Sequence, residues 1–148
     1  KIEGFHFDAR KHTLEYDTVL SFQRDIIYKR RRAMVEGDIE HVKSVFYELG
    51  DKTELDKIID EKLKTIEDGA LWDTIRRIIL YTVDTLWVEH IDTLEHTRQA
   101  VGLRAYGQRE PLVEYKKEAT YLFKEMEARL KEQVVSMVSG ISDQIQAK

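Results

Sequence analysis

The sequence predicts an all-α protein: one long helix, a pair of short helices and an antiparallel two-helix hairpin. Three observations predict it. Apolar residues recur at steps of three and four along most of the 148 residues. Charged residues make up 35% and hydrophobic residues 42%, a balance that suits helices with one buried stripe. With one Pro and seven Gly, breakers are few, and they gather at Gly37, Gly50, Gly69 and between Gly102 and Pro111.

The first helix is expected from about Asp8, read as its cap, to Val35. Leu14, Val19, Phe22, Ile26 and Ala33 form its apolar stripe, widened by Tyr16, Leu20 and Ile27. Glu36-Gly37-Asp38 breaks it. Lys29-Arg30-Arg31-Arg32 lies near its negative pole and reads as a solvated face; contact with nucleic acid or acidic lipid is the competing reading. Asp38 can cap a short helix carrying Ile39, Val42, Val45, Phe46 and Leu49. After Gly50, Asp51 or Thr53 can cap another carrying Leu55, Ile58, Ile59, Leu63 and Ile66, and Asp68-Gly69 closes this section.

The apolar positions then run Ile75, Ile78, Ile79, Val83, Leu86, Trp87, Ile91, Leu94 and Val101. They predict a helix from Trp72 to Val101, about 45 Å long at ~1.5 Å per residue. Gly102 and Gly107 can stop it, and Pro111 is placed to start the next. The last series is Tyr115, Ala119, Leu122, Phe123, Met126, Leu130, Val134, Met137 and Ile141, with Gly140 as a stop and residues 143–148 fraying. Two such helices joined by a short loop pack antiparallel, with Tyr106 at the tip between Arg104 and Arg109.

Much chemistry is excluded. A net charge of −4 argues against nucleic acid as the main partner. No cysteine is present, so disulfides and thiolate metal sites are ruled out. No apolar run approaches the ~20 residues that span a bilayer, and the Lys1–Phe7 start lacks the apolar core of a signal peptide. Gly50-Asp51-Lys52-Thr53 imitates the end of a phosphate-binding loop, but it has Asp where glycine is required and a helix before it where a strand is needed. No ATP site is expected in these residues. His90 and His96, six apart, fall on different helix faces and read as surface or boundary residues, not ligands. Glu89, Asp92 and Glu95 read as a solvated acidic side pairing with Arg98. No serine sits in a nucleophile elbow. Trp72 and Trp87 read as core or boundary anchors, with a partner surface as the second reading for Trp87.

Three stretches, in order, resemble the SecA protein-translocation ATPase family. Glu3-Gly4-Phe5-His6-Phe7-Asp8-Ala9-Arg10-Lys11 with Leu14-Glu15-Tyr16-Asp17-Thr18-Val19 is similar to the segment that opens that family's helical scaffold, and Gln23-Arg24 and Ile27-Tyr28 continue it. Asp84-Thr85-Leu86-Trp87-Val88-Glu89-His90 resembles its D-x-L-W-x-E-H sequence. Residues 98–111 resemble its R-Q-x-I-x-L-R-x-Y-x-Q-x-D-P run, followed by Glu114-Tyr115-Lys116-Lys117-Glu118. The match covers residues 2–36 and 84–139 well and residues 37–70 weakly.

The resemblance implies a fragment: residues 1–36 as first scaffold helix, 37–70 as a reduced helical wing, and 71–148 as the second scaffold part with a two-helix finger. It implies a share in pushing unfolded preprotein through the SecY channel, driven by nucleotide-binding domains outside this sequence. Leu103, Arg104, Tyr106, Gln108 and Arg109 would be the finger tip that meets polypeptide and channel. Catalysis, ATP and Mg would belong to the parent protein, alongside a preprotein cross-linking domain. Acidic lipids and a homodimer are further implied contacts, at the cytoplasmic face of a bacterial membrane. The reading from another class is a nucleic-acid-binding helical module using the Lys29–Arg32 run.

Overall fold

The computed structural model describes residues 2–104 and 110–142, with side chains from Thr13 to Leu103 and from Glu110 to Ser142. Among the described residues there are five helices and no strand: α1 (Ile2–Glu36), α2 (Ile39–Tyr47), α3 (Lys52–Leu63), α4 (Asp68–Arg104) and α5 (Pro111–Ser139). The all-α expectation holds.

Several boundaries follow from local chemistry that the sequence displays. The Asp38 carboxylate accepts the His41 amide at 3.0 Å and starts α2; the Asp51 carboxylate accepts the Glu54 amide at 3.2 Å and starts α3. Pro111 opens α5, where its missing N–H costs nothing, and α5 ends one residue before Gly140. Gly37 follows α1 where a Cβ would come within 2.4 Å of the Ala33 carbonyl oxygen, so only glycine fits without a shift.

Three expectations are corrected. Asp8 does not cap α1 but lies inside it, because the helix already runs from Ile2. Asp68-Gly69 opens α4 where it was expected to close the preceding section, and α4 starts four residues before Trp72. Here Glu67 is the capping acid: its two carboxylate oxygens accept the Gly69 amide at 3.0 Å and the Ala70 amide at 2.8 Å. Those backbone bonds hold its carboxyl below the ordinary glutamate range. Gly102 does not stop α4, which continues to Arg104; a lone glycine weakens a helix without ending it.

The buried stripe of α1 also differs from the expected one. Leu14 and Phe22 are 66% and 68% exposed, whereas Gln23, Ile27 and Met34 are buried and Tyr16 and Leu20 half-buried. Positions 16, 20, 23, 27 and 34 keep helical spacing, but Gln23 interrupts their apolar character and shifts the apparent stripe sideways.

The chain divides into two compact units. One is Lys1–Tyr28 with Trp87–Met126; the other is Lys29–Leu86 with Glu127–Lys148. The second contains α2 and α3. Its core includes Phe46, Leu55, Ile59, Ile66 and Trp72, with the Phe46 and Trp72 rings edge to face at 5.7 Å. The Lys43 amine lies 5.5 Å from the Trp72 ring centre. Burial, then a hydrogen bond to Asp56, pushes the Tyr47 hydroxyl up to about 12. The Arg76 guanidinium donates to the Met34 and Gly37 carbonyls, closing the C-terminal end of α1. Lys62 donates to the Ile141 carbonyl at 2.8 Å.

The basic run is partly spent inside this unit. Arg30 pairs with Glu127 at 2.8 Å, and Arg31 makes a two-pronged contact with Asp84 at 2.9 and 3.3 Å. Lys29 and Arg32 remain exposed.

Candidate functional site at the end of the two-helix hairpin

The first unit holds the first and third sequence stretches of the family pattern and the second from Trp87 on. It combines residues 13–28 of α1, 87–104 of α4 and 111–126 of α5. Nearest the α4–α5 connection is an apolar cluster of Leu94, Val101, Tyr115 and Ala119, against which Tyr16, Val19, Leu20 and Leu122 pack. Tyr16 and Tyr115 meet edge to face with ring centres 4.9 Å apart. Arg98 lies over the other side of this contact, its guanidinium 4.6 Å from the centre of the Tyr16 ring and 3.5 Å from the Asp17 carboxylate. Such a cation on a half-buried ring contributes about 0.5–1 kcal/mol, more than the loose ion pair beside it. Arg98 therefore ties α4 to α1, in addition to any part in the acidic side of its own helix. On that side Asp92 meets His96 at 3.7 Å and Glu95 accepts from Gln99 at 3.4 Å.

One turn beyond Leu94 along α4 lies a buried polar junction. Gln23 is 4% exposed, as is His90. The Gln23 amide nitrogen donates to the Ala119 carbonyl at 3.1 Å, and its oxygen lies 2.6 Å from His90 Nε2. A carbonyl can only accept, so the amide nitrogen must face Ala119; the amide oxygen then faces the histidine, and the proton on the ring sits at Nε2. The ring lies between Trp87 at 5.5 Å and Phe123 at 5.7 Å between centres. Desolvation pushes its pKa below the ordinary 6.5. One side chain of α1 therefore holds both helices of the hairpin. His90 is not the surface or boundary residue expected, whereas His96 is exposed. Trp87 belongs to the core at 5% exposure, and its indole N–H has no partner among the described residues.

Of the residues expected at the tip, Leu103 stands on the last turn of α4 and is 80% exposed. Arg104 is the last residue of α4. Tyr106, Gln108 and Arg109 lie outside the described residues. Val101, two residues before Leu103, is buried, so the helix turns one face into the core and the next to solvent. Gln23, Arg98 and Tyr16 were not expected as working parts. His90 stands four residues from Leu86 and four from Leu94, and that spacing is the signal that puts it on the buried face.

Among the described residues, no group of three or more His, Asp or Glu side chains is placed to hold a metal ion. No helix there is long and apolar enough to cross a membrane.

The sequence profile of the SecA Wing and Scaffold domain matches residues 1–73 and 49–142, two stretches that together take in nearly the whole chain. The protein translocase subunit SecA of Dehalococcoides mccartyi is 29% identical across 99% of this chain. Those of Pelotomaculum thermopropionicum and Symbiobacterium thermophilum are 30% and 32% identical across 96% and 85% of it. The chain spans about a fifth of the length of these relatives (21% of the first, 22% of the second). The first alignment runs to 199 positions against 148 residues here, so that relative carries residues inside this region with no counterpart in the chain. The chain belongs to the SecA wing and scaffold domain family.

Proposed function

We propose that this chain is the scaffold and wing portion of a SecA-like preprotein translocase, with residues 1–36 and 71–148 as scaffold and 37–70 as a shortened wing. The observation that carries the reading is the Gln23 junction, which fastens α1 to α4 and α5 at once. A strut that moves a hairpin must be joined to both of its helices, or the hairpin shears. The buried cluster around Val101 and Tyr115 stiffens the same end. The motor chemistry belongs to nucleotide-binding domains elsewhere in a longer protein, with ATP and Mg. The hairpin delivers their displacement to unfolded preprotein at the SecY channel, with the preprotein cross-linking domain as a neighbour. The site of action is the cytoplasmic face of a bacterial membrane, with acidic lipids in reach of the exposed cations.

Leu103, Arg104, Tyr106, Gln108 and Arg109 form the working tip. An aromatic ring with a polar end can grip varied side chains without demanding a sequence, and arginines beside it can meet carboxylates or phosphates. The test is Tyr106→Ala in the full-length protein. Preprotein translocation into vesicles falls severalfold while nucleotide binding stays unchanged. Unchanged translocation would remove the tip assignment.

A further inference from the structure

The corrected stripe of α1 leaves Phe22 outside the core, and it stands on one wall of a groove between α1 and α5. The groove measures about 460 Å³ and is lined from α1 by Glu15, Thr18, Val19 and Phe22, and from α5 by Lys116, Thr120, Phe123 and Lys124, with Gln23 at its floor. It lies wholly within the first unit. Its polar groups are largely spent. Thr18 turns its hydroxyl back to the Leu14 carbonyl and Thr120 to the Lys116 carbonyl, each at 2.8 Å, so both donate inside their own helix. The Gln23 amide is used at both ends. What remains is an apolar channel with an exposed aromatic on one lip.

We infer that this groove is a docking surface for an acidic amphipathic helix of a protein partner. A floor whose polar groups are already bonded cannot satisfy the N–H and C=O groups of an extended strand. The occupant must satisfy its own backbone, as a helix does. It must present large apolar side chains at i, i+3 or i+4 and i+7 to cover Phe22, Val19 and Phe123. The charge of the rim sets the rest. Lys116 and Lys124 are exposed, form no ion pair among the described residues, and stand two turns apart on α5, about 12 Å at ~1.5 Å per residue. Glu15 is the one acid in the lining, so the rim is net positive. Glutamates spaced two turns apart on the occupant would match the two lysines.

The test uses the 148-residue chain and three synthetic 18-residue helical peptides: one with a leucine stripe flanked by glutamates, one with lysines replacing the glutamates, and one with the acidic composition scrambled. Amide shifts mapped by NMR report the site, and calorimetry reports affinity. The acidic amphipath is expected to shift Thr18, Phe22, Thr120 and Phe123, and to bind at least tenfold more tightly than the other two. Lys116→Glu with Lys124→Glu should reverse the preference between the acidic and basic peptides. Phe22→Ser should weaken both. All three side chains are exposed, and circular dichroism of each variant checks that it stays folded. Equal binding of acidic and basic peptides, shifts confined to another face, or no binding by any peptide would overturn the proposal. So would burial of the groove in a dimer of this chain, read by sedimentation.

Discussion

The Gln23 junction can be tested by removing its polar atoms without removing its volume. Gln23→Met keeps a long unbranched side chain in a site that is 4% exposed, so no cavity of consequence opens. Two hydrogen bonds are lost. The Ala119 carbonyl lies inside α5 and already accepts from its own helix, so losing the second donor costs little. The His90 Nε2–H, in contrast, is left buried and unpaired, which costs about 1–3 kcal/mol. His90→Phe alone leaves the Gln23 oxygen unpaired at a similar cost. The double variant replaces both partners with apolar groups, which can be nearly neutral, so the two losses should not add and should show a coupling of about 2 kcal/mol or more. Urea unfolding of the four proteins measures this. With a slope of about 1–3 kcal/mol per molar urea, a loss of 2 kcal/mol moves the midpoint by roughly 1 M. A Gln23→Met loss below about 0.5 kcal/mol, or strict additivity of the two substitutions, would refute the junction as described.

Three further outcomes follow from other contacts. Because burial lowers the folded pKa of His90 below the ordinary 6.5, the unfolded chain takes up the proton first as pH falls. This contribution to stability is full above about pH 6.5, declines as pH drops through that value and levels off below the folded pKa; a urea midpoint series should show it, and His90→Phe should remove it. Gly102→Ala should stabilise by about 0.5–1 kcal/mol, since Gly102 is helical and an added Cβ meets nothing within 4 Å; a lowered melting temperature would mean that the position needs glycine's freedom. Arg76→Met should cost about 1.5–3 kcal/mol, because two carbonyls at the end of α1 lose a charged donor; amide exchange near Gly37 should quicken with it.

What the sequence reveals here is what neighbouring residues decide. Asp38, Asp51 and Pro111 act within one helical turn, and each starts a helix where its chemistry indicates. Asp68 and Gly102 mislead because Asp and Gly only weakly oppose a helix, and burial of Leu71, Trp72 and Val101 on either side outweighs them. The Gln23 junction is not legible at all from local pattern. Its partners lie 67 and 96 residues away, and a polar residue on a buried face looks like the edge of a stripe until the partners are known. The family motifs quote Gln23 and His90 within separate segments, and only the fold joins them. For the tip, sequence supplies the residues and structure supplies Leu103 and the buried Val101 beneath it.

The junction is also unequal in what it recognises. Towards α4, Gln23 meets one side chain that occurs once on that face. Towards α5 it meets a backbone carbonyl, and carbonyls recur along a helix every ~5.4 Å whatever the side chains are. Substitution along α5 can therefore proceed without touching this bond, provided position 119 stays small enough for Gln23 to reach the backbone; Ala119 has no exposed surface at all. Substitution of His90 cannot. The same asymmetry bears on motion: an axial slip of α5 by one turn brings a carbonyl to the amide but carries Tyr115 or Phe123 into the place of the small Ala119, whereas any slip of α4 leaves the amide facing the wrong residue. Of the two helices of the hairpin, α4 is keyed to α1 by identity and α5 only by register.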